Sequence, residues 1–76
     1  MVKLKQIEIM KPLMFGWGRR NVYFIDGRPT TQHEFMRVEF CLCNDKTYDR
    51  SSRVWTDRKN GNTRDHLEII FVKKEV

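Results

Sequence analysis

Residues 53–72 read RVWTDRKNGNTRDHLEIIFV, and the pivot of the stretch is Asn60-Gly61. Asn-Gly between two polar–apolar alternating runs is a strong hairpin signal, because both central residues of a type I′ turn need positive φ. If the loop is those two residues, register follows by counting outward. Lys59 then faces Asn62, Asp57 faces Arg64, Trp55 faces His66 and Arg53 faces Glu68. These pairs share one side, and two of them oppose unlike charges, which directly opposed side chains favour. The other side carries Val54 opposite Leu67, followed by Ile69 and Phe71. One side is apolar and the other charged, as a half-buried antiparallel pair requires, and a one-residue slip would bury the charges. Trp55 is left exposed among Arg53, Arg64 and His66.

Seventy-six residues make one domain spanning 1–76, near the lower limit at which a single core suffices. An apolar fraction of 39% favours a globular fold over disorder. Apolar runs are short and broken by charges, so no membrane span or secretory leader is expected, and a cytoplasmic protein is the default. Fifteen Lys and Arg against ten Asp and Glu give a net charge of +5 and a pI near 9.6. So basic a small chain favours polyanionic partners.

Val2 to Met10 reads as a strand whose alternation slips between Leu4 and Ile7, which suits a bulge or an edge, and Pro12 ends it. Leu13 to Asn21 reads as a flexible loop. Val22 to Ile25 is a short strand stopped by Asp26-Gly27. Thr30 to Asn44 supports two readings. Thr31-x-x-Glu34 fits a capping box that would start a helix. Against it, Met36, Val38, Phe40 and Leu42 alternate with Arg37, Glu39, Cys41 and Cys43, a period of two. The strand, from about Phe35 to Cys43, is preferred. Asp45 to Ser52 reads as a charged loop, and Lys73-Lys74-Glu75-Val76 as a tail.

The expected fold is therefore all-β, with β-rich α+β as the variant containing a helix from Thr31. About five short antiparallel strands would form a small barrel-like sheet, similar to OB and SH3-like barrels in outline only. Its core would draw on Ile7, Ile9, Val22, Phe24, Met36, Val38, Phe40, Leu42, Val54, Leu67, Ile69 and Phe71.

Three side-chain sets carry chemistry. The first is basic and aromatic: Trp17, Arg19 and Arg20 in one expected loop, Tyr48 and Arg50 in another, and Arg53, Trp55, Arg58, Lys59, Arg64 and His66 on the hairpin. Single-stranded nucleic acid is held by cations along its phosphates and aromatics against its bases, each stacked base contributing about 1–3 kcal/mol. The bland alternative is a solvated charged face with both tryptophans packed inward. The second set, Cys41-x-Cys43, lacks the spacing and the second pair of a structural zinc site, so two reduced thiols and no metal or cofactor are expected. The third is catalytic: neither His33 nor His66 has a second group fixed against it, so no enzyme is expected.

The leading expectation is a small basic protein binding single-stranded DNA or RNA with low sequence specificity. Duplex is disfavoured because no recognition helix is visible. The rival is a protein-binding adaptor or inhibitor, such as a viral or mobile-element antagonist of a larger host complex. It would use the same Trp and Arg side chains, which are enriched at interface hot spots. Unpaired strand edges in so small a sheet leave a homodimer open.

Overall fold

The structure, a computed structural model, describes residues 1–74. Its elements in chain order are β1 (Val2–Leu13), β2 (Gly16–Ile25), β3 (Arg28–Thr30), α1 (Gln32–Cys43), β4 (Tyr48–Lys59) and β5 (Asn62–Lys73). The strands form one antiparallel sheet in the order β3-β2-β1-β5-β4. It is mainly β, as expected, but it stays open rather than closing into a barrel. Of the expected tail, Lys73 closes β5, while Glu75 and Val76 lie outside the described residues.

The C-terminal hairpin has the register counted from its turn, Lys59 opposite Asn62 and Arg53 opposite Glu68. Asn60 (φ 53°) and Gly61 (φ 77°) both take the left-handed conformation that a type I′ turn demands. Asp26 (φ 50°) and Gly27 (φ 81°) do the same between β2 and β3. That turn is also tied to the neighbouring strand, because the Lys3 N–H donates to Asp26 Oδ1 at 2.9 Å.

The segment after Thr31 departs from the preferred reading: it is the helix α1, not a strand. Thr31 is its N-cap, with Oγ1 accepting from the Glu34 N–H at 3.2 Å. Phe35, Val38 and Leu42, spaced i, i+3, i+7, turn towards the sheet. Met36 and Phe40, the residues that completed the period of two, point to solvent.

Three further boundaries move. The glycine-containing stretch read as a loop is the first half of β2, paired from Gly16 to Ile25 with β1. Pro12 does not end β1, because beyond Met10 that strand pairs only with β2, so an edge there needs no N–H from Pro12. The β1 ladder runs without a bulge. Leu4 and Ile7 break the alternation because they serve opposite sides of the sheet. Similarly, Tyr48 to Ser52 is not loop but the start of β4.

The core is small: Leu4, Phe35, Ile69 and Phe71 are buried, with Val2, Tyr23, Ile25, Val38, Leu42, Tyr48 and Leu67 packed around them. The helix lies over one end of one side of the sheet, here the helix face. Of the expected core, Val38, Leu42, Leu67, Ile69 and Phe71 belong to it. Ile7, Ile9, Val22 and Phe24 line the opposite side. Met36, Phe40 and Val54 are exposed, Val54 by 75% because the helix stops short of it. The molecule is elongated, 54 × 22 × 18 Å, and its end away from α1 is a single sheet layer carrying both long hairpin tips.

Candidate nucleic-acid interface

Because every ladder is continuous, register alone assigns each strand residue to a side. The side away from α1, the bare face, is built of transverse rows. One row runs Pro29, Phe24, Lys5, Glu68, Arg53 from β3 to β4, and the next runs Val22, Ile7, His66, Trp55. Beyond them come Arg20, Ile9, Arg64, Asp57, and then Gly18 and Lys11 on one hairpin with Asn62 and Lys59 on the other. Rows on one face are two residues apart, about 7 Å. An apolar–aromatic row is thus bordered on both sides by cations.

Trp55 and His66 are the centre of this face. Their rings are stacked, centroids 4.7 Å apart and planes 3° from parallel. Arg53 and Lys5 both lie over the indole, at 4.7 and 5.5 Å from its centroid. His66 Nε2 is 3.0 Å from Asp57 Oδ2, and the Arg64 Nε–H donates to Asp57 Oδ1 at 2.7 Å. That Arg64 hydrogen bond, helped by His66, holds the Asp57 carboxyl below its ordinary value against a smaller opposing effect of burial. Burial pushes the Glu68 carboxyl up, but Lys3 at 3.3 Å and Arg53 at 3.2 Å outweigh it, and the net shift is downward.

Both central carboxylates are therefore ionised and already neutralised by their neighbours. Lys5, Lys11, Arg20 and Lys59 make no ion pair among the described residues. They project from the same face, and no carboxylate among the described residues forms an ion pair with them. Lys3, Lys5, Ile7, Phe24 and Gly27 also line a depression of ≈ 280 Å³ at its β2 side.

The eleven candidate residues divide between the two sides. Arg20, Arg53, Trp55, Lys59, Arg64 and His66 are together on the bare face. Trp17, Arg19, Tyr48, Arg50 and Arg58 are on the helix face. Tyr48 is packed against the core under α1 rather than presented outward, and Arg50 lies 3.9 Å from Glu39 of the helix. Trp17 is exposed at the far tip, beside Leu13, Met14 and Phe15. Lys3, Lys5, Lys11 and Phe24 were missed. Lys3 and Lys5 alternate in β1 with residues of the helix face, a period-two signal hidden by the apolar residues on both sides of that strand.

Cys41 and Cys43 are free and exposed on α1. Being two residues apart on a helix, they point in different directions rather than sharing a side as they would on a strand. No group of three or more His, Cys, Asp or Glu placed to hold a metal occurs among the described residues. No helix among them is long and apolar enough to cross a membrane. No protein family, curated protein or solved structure matches the chain.

Proposed function

We propose that the bare face binds single-stranded nucleic acid, with little sequence preference, in the cytoplasm. The observation that carries this reading is the uncovered row Val22–Ile7–His66–Trp55 between rows of cations whose own carboxylates are already satisfied. Phosphates would lie against Lys5, Lys11, Arg20 and Lys59. Bases would rest on Phe24, Ile7 and the outer side of the Trp55 indole, where they compete with Arg53 and Lys5 for the ring. Sheets that carry aromatics between cations suit unpaired strands, whose bases can be splayed onto a flat surface. The apolar side of α1 is spent on the core, so no helix is free to enter a major groove.

The test is a fluorescence-anisotropy titration of labelled single-stranded DNA and RNA at low and moderate salt. Binding should weaken with salt through counterion release, and each lost phosphate contact should reduce the slope by about one. Absence of binding at low salt ends this reading.

A second reading is favoured by the β1–β2 tip, where Met14 and Phe15 are 90% and 93% exposed beside Leu13 and Trp17. Such an apolar tip suits a protein partner, as an inhibitor of a host protein or nucleoprotein complex would need. Phe15→Ala would then abolish partner binding while leaving nucleic-acid affinity unchanged.

A further inference from the structure

β4 is the terminal strand of the sheet among the described residues. It is twelve residues long, contains no proline and runs without a bulge. An edge of this length is a template for another strand unless something blunts it. The turn tells which groups are free. In a two-residue type I′ hairpin the closing pair, here Lys59 and Asn62, exchanges both hydrogen bonds. Odd-numbered residues of β4 therefore bond to β5, while Ser52, Val54, Thr56 and Arg58 direct their N–H and C=O groups outward. Val54, near the middle of this edge, is also the most exposed apolar side chain on β4. The opposite edge is less suited to pairing. β3 has three residues including Pro29, and the part of β2 it leaves uncovered carries two glycines and the adjacent Arg19 and Arg20.

We propose that β4 pairs antiparallel with β4 of a second copy of this chain, about a two-fold axis that runs between the two Trp55 residues and perpendicular to the sheet. Such an axis joins bare face to bare face, so each possible register centres on one residue facing its own copy. Of the registers overlapping nine or more residues of Tyr48–Lys59, centring on Arg53 sets Arg53 against itself and Asp49 against Asp57. Centring on Val54 sets Asp49 against Lys59 but Arg50 against Arg58. Centring on Ser52 avoids like charges but creates no unlike pair. Centring on Trp55 sets Arg53 against Asp57 of the second copy twice over, with Val54 against Thr56 and Ser52 against Arg58. It is the register in which unlike charges meet and like charges do not.

In it the two tryptophans form a non-hydrogen-bonded pair, the kind whose side chains approach most closely. The row Val22–Ile7–His66–Trp55 continues into its own mirror sequence across a ten-stranded sheet. The interface is isologous, and pairing consumes both long edges, so assembly stops at two.

Sedimentation and light scattering across a wide concentration range test this. The expected result is a reversible monomer–dimer equilibrium of the 9.3 kDa chain. Val54→Pro removes an outward N–H without touching the β4–β5 ladder and should leave a monomer with an unchanged circular dichroism spectrum. Ser52→Asp places a carboxylate against Arg58 of the second copy and should tighten the dimer, whereas Ser52→Lys should loosen it. With two such pairs per dimer, each change should be about 2- to 30-fold in dissociation constant. A monomer at every concentration overturns the proposal. So does a dimer indifferent to Val54→Pro, or one that both Ser52 variants leave unchanged.

Discussion

The indole of Trp55 is stacked on the imidazole of His66 at 4.7 Å, and His66 is only 7% exposed although no strand or helix lies above it. A side chain on an uncovered sheet face is kept from water by its cross-strand neighbour. His66 also contacts Asp57 through Nε2, while its Nδ1 is buried without a partner. Trp55→Ala should therefore expose a buried polar ring and lose an aromatic pair. The expected loss is about 1–3 kcal/mol, read from urea unfolding, with Trp55→Phe recovering part of it.

The core is four residues deep, so its members are not interchangeable with the apolar residues outside it. Phe71→Ala should cost about 3–5 kcal/mol, a large share of the stability of so small a domain. Phe40→Ala, on the outward side of α1, should change stability by no more than about 0.5 kcal/mol. Equal losses would contradict the helical placement of residues 32–43.

Thr31 closes the start of α1 through one hydrogen bond to the Glu34 N–H. Thr31→Ala should lower stability by about 1 kcal/mol and Thr31→Ser by much less. A chemical-denaturation midpoint read in the far ultraviolet would show both.

Acid should weaken the fold. Arg64 holds the Asp57 carboxyl low, Thr47 hydrogen bonds do so for Asp45, and at Glu68 the cations Lys3 and Arg53 overcome the effect of burial. In each case the folded chain binds its proton less readily than the unfolded chain. The resulting stability is fully present above the unfolded carboxyl values, near 4, and is lost as pH falls through the depressed folded ones. The urea midpoint should be flat through neutral pH and drop below about pH 4. Asp57→Asn should start lower and fall less steeply.

Arg19 and Arg20 are adjacent in the chain and on opposite sides of the sheet, Arg19 facing Met10 and Arg20 facing Ile9. If the bare face is the nucleic-acid surface, Arg20→Ala should weaken binding several-fold and reduce the salt slope by about one. Arg19→Ala should do little. Anisotropy titrations at two salt concentrations separate these outcomes.

The hairpin from Arg53 to Val72 was legible because one Asn-Gly pair fixes its register, and a fixed register assigns every side chain to a side. The helix was harder to read. Met36, Val38, Phe40 and Leu42 alternate as a strand does, and only burial distinguishes them: Val38 and Leu42 reach the core while Met36 and Phe40 remain in water. The decisive local signal was Thr31 three residues before Glu34, outweighed by a period that exposed apolar residues completed by chance. In β1 the converse occurred. Leu4 packs under α1 and Ile7 on the bare face, so the strand is apolar on both sides and its alternation is blurred. The candidate site was scattered for the same reason: Trp17 and Arg19 were read with Arg20 as one loop, whereas a strand separates neighbours onto opposite sides.

The central ladder of the sheet joins β1 to β5, pairing Val2 with Phe71 and Met10 with Thr63. The two hairpins are local and can form as soon as each is made, but their joining waits for residues 62–73 to leave the ribosome. Leu4 has no Ile69 or Phe71 to pack against until then, so the core waits for its C-terminal strand. Completion of the sheet is therefore a late step, governed by the closure of the long loop that joins β1 to β5.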